Sequence, residues 1–266
     1  MFNTGLFLLL FALGIVGLIA GLPYILAALP FQSRPDGKPL PEGPALIGLI
    51  SIQPAMIALI TSALGTFFAP RAGFGAPLFT TFLEEGHAPP GYGSIALLAV
   101  LAGLLSYLAV AILEFGFFHR RLPPELADSE INVALWKRLL VTLYGGIDEE
   151  LMLRWGLLPL IAWLIGLVWR TSAGLPTTGA FWVANILVAV LFGLGHLPAT
   201  AQITPLTPLI VVRAILLNGL FGVVSGYLFW LYGLAAAMIA HATADVFIHT
   251  ITVEVMKGRR ATKTVA

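Results

Sequence analysis

The stretch Gly5–Leu29 has the sequence GLFLLLFALGIVGLIAGLPYILAAL and contains no charged side chain. A helix needs about 20 apolar residues to cross about 30 Å of hydrocarbon, so this stretch is long enough to span a bilayer. It is also longer than the apolar part of a signal peptide, about 7–15 residues, and no basic segment precedes it. We therefore predict a retained membrane span.

The composition of the whole chain resembles that of this first stretch. Of its 266 residues, 59% are hydrophobic and 10% are charged, and the mean hydropathy is +0.96. Soluble domains have about 45–50% apolar and about 25% charged residues, which excludes a water-soluble globular protein. The runs are continuously apolar rather than alternating, which argues against a membrane β-barrel. The expected fold is all-α, a single integral membrane domain over residues 1–266.

Six further apolar runs follow the first one, and together they predict about seven to eight transmembrane helices. The fourth run is too long for one straight crossing, and Pro159 predicts a kink or a break within it, so both seven and eight spans stay open. The joint at Trp230–Gly233 between the last two runs is tight. The six runs are Ala45–Phe68, Ser94–Phe118, Leu139–Trp169, Ala180–Leu197, Leu206–Phe229 and Leu231–Val253.

The distribution of Lys and Arg predicts the orientation, because cytoplasmic loops carry an excess of these residues. With seven spans and a cytoplasmic basic tail over residues 254–266, only Arg71 and Arg170 lie outside. The N-terminus is then outside, and a prokaryotic plasma membrane is the default location. The basic residues placed inside are Arg34, Lys38, Arg120, Arg121, Lys137, Arg138, Lys257, Arg259, Arg260 and Lys263.

Charge and cysteine content exclude several kinds of function. The net charge is +1 without a basic stripe, so a nucleic acid partner is not indicated. The chain has no cysteine, which excludes disulfides, thiolate metal sites and a cysteine nucleophile. Any hydrolytic chemistry must therefore use water, hydroxyls, carboxylates or histidines.

Ionisable residues inside predicted spans are candidates for function, because each costs at least about 2.5–3.5 kcal/mol to insert. The fourth run contains Asp148-Glu149-Glu150-Leu151-Met152-Leu153-Arg154. Glu150 and Arg154 are one helical turn apart and can pair, whereas Glu149 points about 100° away from Glu150. Three carboxylates with one cation exceed what pairing alone requires.

Two histidine motifs lie on other predicted spans. Phe192 and His196 are one turn apart at the end of the fifth run, with two glycines between them that permit close helix approach. His241 and Asp245 share a face of the last run. Glu149, His196 and His241 together suit the activation of water, with or without a zinc ion, since the same set meets the ligand count of a catalytic zinc site.

We expect the remaining ionisable residues to have structural roles or to face solvent. We expect Arg213, in the sixth run, to neutralise one of the extra carboxylates, with Asp148 as the candidate and substrate carboxylate binding as the alternative. His87 and His119 are expected in solvent-facing loops, and His249 near the membrane interface.

Three motifs lie in order on separate predicted spans, namely Glu149-Glu150-xxx-Arg154, Phe192-xxx-His196 and His241-xxx-Asp245. They resemble the motifs of a known family, the CAAX-protease and bacteriocin-processing (CPBP or Abi) intramembrane endopeptidases. The family pattern is EExxxR, FxxxH and HxxxN or HxxxD. The resemblance implies a catalytic core over residues 134–253 and a cavity open to the cytoplasm and to lipid. It also implies hydrolysis of a peptide bond in a peptide or membrane protein, which a lipid may modify.

The resemblance also implies roles for single residues. Glu149 and His196 would activate water, His241 and Asp245 would stabilise the oxyanion, and Glu150 and Arg154 would support Glu149. Asp245 departs from the Asn of the prenyl-protein proteases, and an ionised carboxylate would repel an oxyanion. It must be protonated, paired to His241 or bound to a metal. The resemblance does not decide whether the enzyme uses a metal.

Two other classes of function compete with the protease. A proton-coupled transporter would use similar residues, but it would be expected to show inverted repeats, which the sequence lacks. A non-catalytic peptide-binding or bacteriocin-immunity protein could keep the scaffold without hydrolysis. Intact Glu149, His196 and His241 favour the enzyme.

Overall fold

The computed structural model describes residues 2–28, 42–123, 125–126 and 132–258, and these residues are mostly helical. Within these ranges the pairing of extended chain is limited to one bridge between Arg170 and Pro176. The predicted all-α class is confirmed. The helices, numbered along the chain, are α1 (Thr4–Ala28), α2 (Pro44–Phe68), α3 (Pro77–Glu85), α4 (Tyr92–Leu113), α5 (Leu135–Tyr144), α6 (Leu158–Gly166), α7 (Thr178–Gly195), α8 (Leu197–Ala201), α9 (Pro208–Tyr232) and α10 (Leu234–Phe247).

Six helical segments in the described ranges are long and apolar enough to cross a membrane, so the chain is a multi-pass membrane protein. They correspond to six of the seven predicted spans. A single residue, Gly233, separates α9 from α10, with a φ of 86° that glycine adopts readily. The six segments are Thr4–Ala27, Pro44–Phe68, Tyr92–Arg121, Thr178–Ala201, Pro208–Tyr232 and Leu234–Gly258.

The fourth predicted span is one continuous helical segment over residues 135–166, here called the motif helix. It differs from the six apolar segments because it contains three carboxylates and an arginine in its middle. Pro159 does not break it, because the chain is helical on both sides of this residue, and α6 starts one residue before it. The irregularity comes earlier, as two π-helical stretches at Gly145–Glu149 and Leu151–Leu157. Such wide turns often occur at functional sites, and here they contain Glu149 and Arg154.

The connections between the spans contain helix caps and a short helix. Thr177 and Thr207 cap α7 and α9, each accepting a hydrogen bond from a backbone N–H three residues on. The connection between α2 and α4 contains the short helix α3, which begins at a proline. Five basic residues used to predict the orientation lie outside the described residues, namely Arg34, Lys38, Arg259, Arg260 and Lys263.

Close helix crossings bring the motifs together. A Cβ added to Gly193 of α7 would lie 2.5 Å from the Cα of Ile215 on α9. A Cβ added to Gly103 of α4 would lie 2.3 Å from the carbonyl oxygen of Ala240 on α10. Glycine at such positions lets two backbones touch, which is a common basis of helix packing in membranes. These crossings hold α7 and α4 against the helices that bear Phe221 and His241.

Candidate active site

Glu150 lies at the centre of a buried network of charged and polar groups. Its carboxylate is fully buried and lies 3.1 Å from the guanidinium of Arg154, as the spacing predicts. The hydroxyl of Ser225 on α9 donates a 2.8 Å hydrogen bond to the second carboxylate oxygen. Arg154 in turn donates to the carbonyl oxygen of Gly222, 3.1 Å away. The pair therefore fastens the motif helix to α9.

His241 also belongs to this network, because its ring contacts Glu150. Its Nδ1 lies 2.6 Å from Oε1 of Glu150. An ionised carboxylate can only accept a hydrogen bond, so Nδ1 is the donor and the imidazole plane is fixed. Nε2 then points to two further carboxylates, 3.6 Å from Glu149 and 3.7 Å from Asp245. The ring bridges Glu150, which is enclosed, and the more open Glu149 and Asp245.

Glu149 differs from Glu150 in its surroundings, although the two residues are adjacent. Its side chain is 21% exposed, whereas that of Glu150 is fully buried. Glu149 also interacts electrostatically with His196, His241 and Asp245. Three motif spans thus meet around this one carboxylate, which remains accessible to a small molecule such as water.

Gly145, one turn before Glu149, is a part of the site that the sequence analysis missed. A Cβ there would lie 2.1 Å from Oδ2 of Asp245 and 3.5 Å from Nε2 of His241. The absent side chain makes room for the groups that face Glu149. The Gly-Gly pair two residues before Asp148 is a signal that could have indicated this close approach.

Aromatic rings surround the charged groups. Phe192 makes edge contacts with His196 at 4.9 Å and with His241 at 5.7 Å between ring centroids. The Arg154 guanidinium lies 5.1 Å from the centre of the Phe192 ring. The Phe221 ring, which the sequence analysis did not select, lies 4.5 Å from that of His241. Phe192 therefore links all three motifs. His196 Nδ1 is within hydrogen-bonding distance, 2.9 Å, of the Phe192 carbonyl oxygen.

A cavity of about 60 Å³ opens beside His241 between α4, α9 and α10. A water molecule occupies about 30 Å³ in the liquid, so the cavity has space for only a few waters. Its wall combines apolar side chains with the polar groups of Ser106, Tyr107, Asn218, His241 and Asp245.

Arg213 does not pair with Asp148, and that prediction is wrong. Its Nε lies 2.7 Å from Oε2 of Glu114, a buried residue of the third span that the sequence analysis overlooked. Asp148 faces the opposite side of the bundle, against α1, where a Cβ on Gly17 would lie 2.0 Å from its Oδ2. Neither carboxylate oxygen of Asp148 has a hydrogen-bond partner among the described residues.

The remaining ionisable side chains differ in how deeply they are buried. Arg138, assigned from sequence to the cytoplasmic loops, is almost fully buried and bonds to Val133, His249 and Glu254. His87 is exposed as predicted. His119 is not solvent-facing but half-buried, with its ring 5.5 Å from that of Phe115.

The donor set does not form a ready metal site. Across the described part of the chain, no three His, Asp or Glu side chains are placed to hold one ion. His241 Nδ1 is engaged by Glu150, and His196 Nδ1 lies next to its own helix carbonyl. The predicted zinc ligands Glu149, His196 and His241 are near one another without this geometry, so no catalytic step is assigned to a metal here.

Comparison with known protein families gives a match over the segment that contains these residues. Residues 131–247 match the family model described as type II CAAX prenyl endopeptidase Rce1-like. The matched segment contains the motif helix, both histidine motifs and the helix α9 between them. No curated protein and no solved structure matches the chain. Residues 131–247 are therefore similar to an Rce1-like domain and match the CAAX-protease (CPBP) family, whose members are helical membrane proteins.

Proposed function

We propose that the chain is an intramembrane endopeptidase in which Glu149 activates water to hydrolyse a peptide bond of a membrane-associated peptide or protein. The observation that supports this most is the difference between two adjacent carboxylates. Both oxygens of Glu150 are taken up by Arg154, His241 and Ser225. Glu149 is partly exposed and faces His241. Of these two carboxylates, only Glu149 is therefore open to a bound water whose proton it could accept.

The proposed reaction has two steps. Glu149 removes a proton from water as the water oxygen attacks the scissile carbonyl carbon, giving a tetrahedral oxyanion. The carbon–nitrogen bond then breaks, and the proton on Glu149 passes to the departing amine. One water is consumed, and the products are a new carboxyl terminus and a new amino terminus. His196, the electrostatic neighbour of Glu149, would assist these proton transfers.

His241 and Asp245 would act on the oxyanion side of the reaction. Because Glu150 fixes Nδ1 as a donor, a second proton on Nε2 makes an imidazolium that can donate to the developing negative charge. Asp245, 3.7 Å from Nε2, would orient and charge this ring. This assignment is the His241-paired option among the three that the sequence leaves open for Asp245.

The surroundings of the cavity support a substrate that comes from the membrane. The α4 wall presents exposed apolar side chains toward the membrane, including Leu105, Leu108 and Ile112. A substrate anchored in lipid, including a lipid-modified peptide, could reach the cavity along this helix. We propose a plasma-membrane protein of prokaryotic type with its N-terminus outside, its cavity open to the cytoplasm and its catalytic core within residues 134–253.

The test is cleavage of a quenched fluorescent peptide library by detergent-purified protein, with products identified by mass spectrometry. Wild type should cleave, whereas Glu149→Gln and His196→Ala should not. Glu84→Gln, at an exposed position of α3, is the matched control and should cleave like wild type. A peptide-binding or immunity protein would instead keep its activity in Glu149→Gln, and cleavage by that variant at the wild-type rate would contradict the proposal.

A further inference from the structure

The cavity beside His241 has an unbalanced set of polar groups. Asp245 lines this cavity, and Glu149 lies just outside its wall. Both approach Nε2 of His241, and an ionised carboxylate offers only acceptors. A tetrahedral oxyanion formed here would need donors within about 3 Å, and the carboxylate of Asp245 would oppose it, whereas Glu149 then carries the proton taken from water. His241 provides one donor through Nε2. The other side chains of the cavity wall that carry a donor are Ser106, Tyr107 and Asn218.

Asn218 of α9 is the uncharged amide in the cavity wall. Its Nδ2 carries two N–H groups, and one of them donates a 2.9 Å hydrogen bond to the carbonyl oxygen of Ala214 one turn earlier. That bond fixes the side chain along its own helix. The second N–H belongs to a group that already lines the cavity with His241 and Asp245.

The register of the two antiparallel helices places Asn218 at the level of Asp245. Phe221 of α9 contacts His241 of α10, with their rings 4.5 Å apart. Moving three residues back along α9 reaches Asn218, and moving three or four residues forward along α10 reaches Ala244 and Asp245. Both steps are close to one helical turn. The amide and the carboxylate therefore lie in the same layer of the cavity, one turn from His241.

The wall formed by α4 shows the same layering. Ser106, Val110 and Glu114 are successive turns of that segment, and Glu114 meets Arg213 of α9 at 2.7 Å. Leu217, one turn after Arg213, therefore lies opposite Val110, and both line the cavity. Asn218 is adjacent to Leu217. It therefore lies between the Arg213–Glu114 ion pair at one end of the cavity and His241 at the other.

We propose that Asn218 is a catalytic residue that, together with His241, donates a hydrogen bond to the oxyanion of the tetrahedral intermediate. Asp245, on the opposite helix, then acts through the His241 ring instead of touching the oxyanion. This inference rests on the proposed function, since it concerns the same hydrolysis.

The test changes Asn218 in two ways. Asn218→Asp keeps the size of the side chain but replaces donors by acceptors, and Asn218→Ala removes the amide without adding charge. Loss of one oxyanion donor reduces kcat by about 100- to 1,000-fold, so both variants should show this loss with KM within about threefold of wild type.

Asn185 supplies a matched control. Its amide also donates to a backbone oxygen of α9, that of Val223 at 3.0 Å, but it is not among the residues lining the cavity. Asn185→Ala should therefore lower thermal stability while keeping kcat close to that of wild type.

Two negative results have different meanings. If wild type cleaves, Glu149→Gln does not, and a folded Asn218→Asp or Asn218→Ala keeps a wild-type kcat, the role of Asn218 is wrong and the proposed function stands. If Glu149→Gln cleaves like wild type, the proposed function fails, and the role of Asn218 fails with it.

Discussion

The clearest prediction concerns Glu150→Gln, compared with the same change at Glu149. Glu150 and Arg154 have no exposed surface, and Arg154 depends on this carboxylate for charge compensation. Removing one partner of a buried ion pair costs about 3–5 kcal/mol, because the other charge stays buried and uncompensated. The free energy of unfolding of Glu150→Gln should fall by this amount, which is about two to three and a half powers of ten in the unfolding constant.

Glu149→Gln should lower the free energy of unfolding by less than about 1 kcal/mol, since Glu149 is partly exposed and its nearest approach to His241 is 3.6 Å. Glu150→Leu combined with Arg154→Met removes both buried charges and should recover most of the stability lost in Glu150→Gln. The assay is unfolding in mixed detergent micelles, followed by circular dichroism and tryptophan fluorescence. Equal stability of Glu150→Gln and wild type would refute the assignment of Glu150 as the buried structural partner.

Two further predictions concern helix contacts around the site. Gly193→Ala places a methyl group 2.5 Å from a backbone carbon of α9, so it should lower the thermal midpoint in detergent, whereas Gly195→Ala, with open space around it, should not. Equal midpoints would contradict the close crossing of α7 and α9. Glu114→Gln leaves Arg213, about a quarter exposed, without its carboxylate and should lower the free energy of unfolding by about 1–3 kcal/mol in the same micelle assay. A change below about 0.5 kcal/mol would show that this pair does not hold α4 to α9.

The sequence was sufficient to predict the spans and the local pairs. Continuous apolar runs such as Gly5–Leu29 leave no alternative to burial in lipid, and the helix period places Glu150 beside Arg154. The charged fourth run was harder to interpret, because Pro159 suggested a break, whereas the chain stays helical and widens into π turns before that residue.

The contacts between helices were not predictable from spacing along the chain. Ser225 has no distinguishing pattern, yet its hydroxyl bonds to Glu150 across 75 residues of sequence. Arg213 was assigned to the wrong carboxylate because charge balance does not reveal which helix an arginine faces. Glu114 lies close to the end of its span, where inserting a charge costs little free energy, so its position in the sequence did not indicate a buried partner for Arg213.

The most direct test of the account is the rate of peptide cleavage by Glu149→Gln in liposomes, measured at saturating substrate beside its unfolding free energy. A general base contributes about 100- to 10,000-fold, so kcat should fall by that factor while stability and KM stay close to wild type. A folded Glu149→Gln protein with wild-type kcat would contradict the claim that Glu149 activates the attacking water.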